Sequence, residues 1–312
     1  MFISNSENLI HRFIRRFLAF CIIPLLGLLF VFLLVLYTRS NVTCRIDPGV
    51  REIYAGDSHI QCAVIDSLMK NGRNISKTSE SYYFTYYKLK KILEINPDIR
   101  RVYLGASYHN LSDHYDRYIS GENTSFVSTK YFYLLPPEKQ LQVMGWSVHD
   151  FPRFLRGIIF FSYTYIIKKS PYDFGGYSNF FFETAADKKA MDKRIKLQYH
   201  SKDRMSEYST VNIEYYFKII TMCREKNVEL ILLNTPLHGY FRAQVPKFFI
   251  ERFNNITDSL NLRVLDFSNL TLSDSCFTPD GDHLTVKGAK LITAEIIRQD
   301  TKNQDNLSSG NR

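Results

Sequence analysis

Residues 52–68 read EIYAGDSHIQCAVIDSL, and the change of period inside this stretch decides the fold. Positions 52–56 have the short apolar run of a strand, whereas Ile60, Ala63, Val64 and Leu68 recur at helical spacing. A Gly-Asp-Ser turn joins the two. Working outward, 74–76 predicts a second strand, 82–95 a helix ending before Pro97, and 101–104 a third strand. Further on, 211–226 reads as a helix and VELILLN at 228–234 as the clearest strand of the chain. A helix over 246–260, a strand over 263–267 and a closing helix over 286–298 complete the series. Strands separated by helical patterns predict an α/β class fold over 50–300, with a parallel sheet and helices on both faces. The stretch 111–208 breaks the rhythm with aromatic and basic residues and reads as a largely helical insertion. The polar tail at 301–312 is expected to be disordered.

Upstream, residues 17–38 (FLAFCIIPLLGLLFVFLLVLYT) carry no charge and no polar face. At about 1.5 Å per residue they span the roughly 30 Å hydrocarbon core of a bilayer. The run is too long for a signal-peptide core, and no small-residue cleavage site follows, so the reading is an uncleaved single-pass transmembrane anchor. Arg12, Arg15 and Arg16 crowd its N-terminal flank, and Arg39, Arg45 and Arg51 follow it. The denser cluster favours 1–16 as a cytoplasmic flank, with the larger domain periplasmic or otherwise extracytoplasmic.

Composition narrows the function. Of 312 residues 45% are hydrophobic and 23% charged, which fits a globular chain and not a disordered one. The net charge of +9 favours anionic partners. No basic run with interleaved aromatics points to nucleic acid. The five cysteines form no C-x-x-C pair, so neither a zinc site nor a thioredoxin-like motif is indicated. Cys44 and Cys276 are able to pair in an oxidising compartment, and the sequence leaves that open. Tyr (21) and Phe (24) are abundant enough to furnish surfaces that stack on sugars as well as a core.

Ser58 falls where a strand becomes a helix, so free backbone N–H groups stand beside its hydroxyl and favour a developing oxyanion. Gly56 permits the turn. The plain alternative is that Asp57 and Ser58 only cap the helix. A second polar block, Asp280-Gly281-Asp282-His283, stands before the last helix. A D-x-x-H turn can bring Asp280 to one nitrogen of His283 while the other receives a serine proton. Asp282 is read as pointing away.

Together these blocks resemble the SGNH or GDSL hydrolase superfamily. Its first block is matched by Gly56-Asp57-Ser58 and its last by Asp280 and His283. The resemblance implies a flavodoxin-like sheet, with Ser58 as nucleophile, His283 as base and Asp280 as its partner. It implies no cofactor and no metal. The middle blocks depart from the pattern: the second-block glycine falls near Ser79, and the Gly-x-Asn block reads Gly105-Ala106-Ser107. Gly105, Ser107 and Asn74 are therefore the oxyanion candidates, with Asn110 a further asparagine in reach. By this resemblance the chain is a membrane-anchored esterase or O-acetyltransferase acting on cell-envelope polysaccharide or another acylated glycan. A membrane partner supplying acyl groups is the corresponding expectation for transfer.

Two other classes stay in view. A glycan-binding scaffold would keep the outer blocks without efficient oxyanion support. A metal-dependent type II membrane glycosyltransferase would use Asp280 and Asp282 as a D-x-D motif, and seven N-x-S/T sequons (Asn41, Asn74, Asn110, Asn123, Asn255, Asn269 and Asn306) suit a secretory-pathway enzyme. His109, Asp113 and His114 read as polar loop residues sooner than as a metal cluster. Lys188, Lys189, Lys193, Arg194 and Lys196 read as a solvated helix face.

Overall fold

The computed structural model describes residues 3–169, 172–179, 186–201 and 204–309. It opens with helix α1 (Ile3–Asn41). Within it, Ile10–Asn41 is long and apolar enough to cross a membrane, and little of that length is buried. The expected anchor at 17–38 lies inside this span.

Five strands form the central sheet: β1 (Glu52–Ala55), β2 (Gly72–Asn74), β3 (Arg101–Gly105), β4 (Glu229–Asn234) and β5 (Arg263–Asp266). They are all parallel, in the order β2-β1-β3-β4-β5. The first two connections are made by α2 (Ser58–Ala63) and α3 (Tyr82–Ile95). Helices α4 (Pro137–Trp146), α5 (Phe151–Ile166) and α6 (Lys188–Tyr199) stand in the long segment between β3 and α7 (Thr210–Glu225). Helix α8 (Lys247–Ser259) links β4 to β5, and α9 (Val286–Ser309) closes the chain.

Alternation along the strands divides the core in two. Ile53, Ala55, Val102, Leu104 and Leu232 join a cluster with side chains of α3, α7 and α8. Tyr54, Tyr103, Ile231, Leu233 and Leu265 face the other way, onto Ile60 and Ala63 of α2 and Ile292 and Ile296 of α9. Because both faces are covered, the strands are apolar on both sides, as a parallel sheet requires. Tyr54 and Tyr103 stack across β1 and β3 with ring centroids 4.4 Å apart. The strand order reverses between β1 and β3, so the crevice beyond their carboxyl ends is the natural ligand position of such a sheet.

Several expectations need correction. The helix after Gly56 does not reach Leu68. It stops at Ala63 because Asn74 Nδ2 donates to the carbonyls of Ile60 (3.1 Å) and Val64 (2.8 Å), and Ile65 N turns to Thr293 Oγ1. The second strand is shifted to 72–74, although Ile75 N and Lys77 N still donate to Tyr54 O and Gly56 O of the neighbouring segment. Helix α9 is described to Ser309, and Thr301 Oγ1, at the head of the tail expected to be disordered, donates back to Ile297 O. Residues 310–312 of that tail lie outside the described residues. Cys44 and Cys276 are buried free thiols in the two different clusters, on opposite faces of the sheet, which excludes their pairing.

Candidate active site

The site begins with backbone geometry at the end of β1. Gly56 has φ 152°, a conformation that side chains disfavour, and a Cβ there would sit 3.0 Å from Ile60 Cγ1. Asp57 then caps α2, its carboxylate accepting from His59 N at 2.9 Å. The first helical residue is Ser58, whose Oγ lies 2.8 Å from His283 Nε2. His283 Nδ1 is 2.8 Å from Asp280 Oδ2. Asp280 is held in turn, its Oδ1 accepting from Thr278 Oγ1 at 2.6 Å and from Asp282 N at 3.2 Å. The sheet thus brings together side chains 225 residues apart in sequence. Burial opposes the charge on Asp280, yet His283 beside it holds its carboxyl well below the usual range. This hydrogen-bonded chain is able to move a proton off Ser58 and hold the resulting imidazolium.

Beneath the chain lies a second polar layer that sequence reasoning missed. Asp57 Oδ2 accepts from Asn110 Nδ2 at 2.9 Å and from the Tyr115 hydroxyl, and lies 2.9 Å from His109 Nε2. Asp282 accepts from Arg194 Nε (2.6 Å) and Gln198 Nε2 (2.8 Å), and its other oxygen lies 3.0 Å from His59 Nε2. His59 stacks on His109 at 4.0 Å and meets His283 edge-on at 5.1 Å. Burial works against a charged His59, but Asp282 and Asp57 outweigh it and raise its pKa. Burial and the neighbouring His59 lower that of His109, which favours its neutral form. Burial also pushes His114, at the cavity wall, down to about 3. Asp282, read from the sequence as pointing away, is instead the centre of a buried ion cluster, with a carboxylate oxygen within 4.8 Å of ring nitrogens of both His59 and His283.

Arg194 therefore corrects the reading of the basic stretch in α6 as solvated. It shares a side of the helix with buried Met191 and Gln198, one turn before and after it, and that spacing was the available signal. Asp280 and Asp282 are committed to different imidazoles, so they do not present the shared carboxylate face of a D-x-D cation site.

The oxyanion candidates also need correction. Asn74 spends both amide hydrogens on the end of α2, as above. Ser107 N donates to Asn110 Oδ1, and Ser107 does not line the cavity beside Ser58. Gly105 does not line it either. A Cβ on Gly105 would fall 2.3 Å from Ile60 Cγ1, so this glycine serves the close approach of α2 to β3. The cavity, about 600 Å³, is instead bordered beside Ser58 by Gln61, Thr78 and Ser79. Gln61 Oε1 accepts from Thr78 Oγ1 at 2.9 Å, which leaves Nε2 as the end of that amide able to donate. Ser79, near the expected second-block glycine, has the glycine-like φ of 62°. Its loop is fixed by the fully buried Lys88, whose Nζ bonds Glu80 Oε2 and Ile75 O.

No family model matches the chain, and no curated relative does. Among solved structures it is similar to a GDSL-like lipase from Bacteroides thetaiotaomicron, at 8% identity and a TM-score of 0.39, over 85% of this chain and 94% of that one. It is also similar to a Bacteroides fragilis protein provisionally called an acylhydrolase, at 8% identity and a TM-score of 0.36, over 86% and 94%. A third likeness is to a Streptococcus pneumonia protein provisionally called a platelet activating factor, at 11% identity and a TM-score of 0.40, over 90% and 98%. Likenesses this distant assign no activity.

Proposed function

We propose that the chain is a serine-dependent acyl ester hydrolase or O-acyltransferase of the SGNH type, acting on cell-envelope polysaccharide outside the cytoplasm. The observation that carries the reading is the run Ser58 Oγ–His283 Nε2, His283 Nδ1–Asp280 Oδ2, with 2.8 Å at each step, at the reversal point of the sheet. Ser58 attacks the ester carbonyl as His283 takes its proton, and Asp280 keeps the imidazole oriented and stabilises its charge. His283 returns that proton to the departing alcohol, leaving an acyl-serine. Water or a sugar hydroxyl, deprotonated by His283, then attacks the acyl carbon, and His283 returns that proton to Ser58 Oγ as the acyl–serine bond breaks. Oxyanion support falls to the backbone N–H of Ser58 and Ser79 and to the Gln61 amide. Phe126, Phe161 and Tyr118 on the cavity wall offer faces against which a sugar ring can stack.

The test uses the full chain in detergent with an activated serine phosphonate and a chromogenic acetate. Wild type is expected to take up the label and turn over the acetate, and Ser58→Ala to do neither while melting at a similar temperature. If wild type and Ser58→Ala are equally inert yet bind a charged polysaccharide, the chain is a glycan-binding scaffold.

A further inference from the structure

The helix that walls one side of the cavity also turns an apolar face outward. Helix α5 buries Phe154, Ile158, Ser162 and Tyr165. Its outward side carries Ile159, Phe160, Tyr163 and Ile167, the last from the residue just past the helix, and Phe160 and Ile167 are 60% and 66% exposed. Positions 160, 163 and 167 form a single stripe at helical spacing. Arg153 and Arg156 stand toward one end of it and Lys168 and Lys169 at the other, all exposed. An apolar stripe between basic ends is the pattern of a helix lying in a lipid interface.

What covers that stripe follows from α1. Ser162 of α5 accepts a hydrogen bond from Thr38 Oγ1 at 3.0 Å, and Val35 and Thr38 are buried where the two helices meet. Residues 22–30 of α1 are exposed throughout, and the covered side begins at Val31. The uncharged run starts at Phe17, so its uncovered part spans only about 21 Å, well short of the roughly 30 Å of a hydrocarbon core. If α1 spans a bilayer, its last turns beside α5 must lie at lipid depth, and α5 with them.

We infer that α5 is a second membrane contact of this protein, with Phe160, Tyr163 and Ile167 set into the outer lipid boundary of the bilayer that α1 crosses. Its occupant is bilayer lipid: α5 meets α1 at Ser162, the neighbour of Tyr163 in the stripe, and the basic ends of the stripe match anionic headgroups. Phe161 of the same helix lines the catalytic cavity, so the cavity stands at the membrane surface and not away from it. The inference rests on α1 spanning a bilayer and is independent of the serine chemistry.

The experiment places tryptophan at Phe160 and at Ile167 in the full chain, reconstituted in nanodiscs made with or without lipids brominated on the acyl chain. Emission is read against wild type, which has the single Trp146. Phe160→Trp and Ile167→Trp are expected to lose most of the added emission to the brominated lipid and to resist aqueous acrylamide. Leu270→Trp, in the loop after β5, should show the reverse. If both α5 variants are quenched by acrylamide and untouched by bromine, the inference is overturned. Protection from both quenchers, with doubled particle mass, overturns it in favour of a second copy. Phe30→Trp on the exposed part of α1 reports the premise separately: were bromine to spare it, the span itself would be refuted.

Discussion

Asp280 and Asp282 are separated by one residue and serve different ends, because Gly281 at φ 64° turns the chain between them. Their asparagine variants should therefore fail in different ways. Asp280→Asn removes the partner of His283 and is expected to cut turnover by about four orders of magnitude with little loss of stability. Asp282→Asn leaves Arg194 and His59 buried without their carboxylate and is expected to cost about 3–5 kcal/mol in unfolding free energy. The pH profile identifies the ion responsible. His59 has a raised pKa, so its contribution is complete below its unfolded pKa of about 6.5 and is lost as pH rises through the higher folded value. Asp282, whose pKa is lowered, contributes above about 3.9 and loses that contribution as pH falls. Wild-type stability in urea should decline through the His59 titration, and Asp282→Asn should lack that decline. A wild-type stability that climbs with pH across the same window would remove the ion pair from the account. Ser58, Asp280 and His283 were legible as candidates because each falls in a short local pattern, a strand-to-helix turn or a D-x-x-H turn. The pair of Arg194 and Asp282 was not, since its members are 88 residues apart and the arginine sits among lysines that do face solvent.

At the scale of elements, the position of α2 decides where Ser58 points, and that position depends on two glycines beneath Ile60. The Cα of Gly105 lies 3.3 Å from where a Cβ on Gly56 would be, and a Cβ on Gly105 would overlap Ile60 Cγ1. Gly105→Ala is therefore expected to destabilise by about 1–3 kcal/mol and to lower turnover by lifting α2 from the sheet. Truncating the opposing side chain in Gly105→Ala/Ile60→Ala should restore part of the turnover, because it makes room for the added methyl. A pure oxyanion role for the Gly105 N–H predicts otherwise, since alanine keeps the donor and nothing would need rescue. Chromogenic acetate turnover and thermal unfolding of the three variants decide it. The sequence showed Gly105 as a kept glycine but not its use. The length of α2, set by Asn74 from a strand away, and the loop carrying Ser79 both depend on long-range contacts that periodicity does not register. Strand and helix positions were legible where the run was long, as in β4, and slipped by about two residues where it was short, as in β2.

The whole molecule is a parallel α/β domain standing directly on the end of a long apolar helix. Its order of elements was legible because a parallel sheet covered on both faces forces apolar strands to alternate with amphipathic helices. Orientation is the harder matter, since three arginines flank the apolar run on each side. The two groups differ in density. Arg51 is paired with Asp98 at 2.7 Å, and the segment around Cys44 is fastened to the domain by Asn96, which donates to Cys44 O and accepts from Ile46 N. Arg12, Arg15 and Arg16 form three exposed charges within two turns of helix, whereas Arg39, Arg45 and Arg51 are spread over thirteen residues. The N-terminal group should win retention in the cytoplasm. An impermeant maleimide offers a direct reading, because the four cysteines beyond Phe30 are all buried. Cysteine placed at exposed Lys226 should label on intact cells, and cysteine at exposed His11 only after lysis. The opposite pattern would put Ser58 and its cavity in the cytoplasm, where an envelope polysaccharide is out of reach, and would leave the esterase chemistry standing with a different substrate.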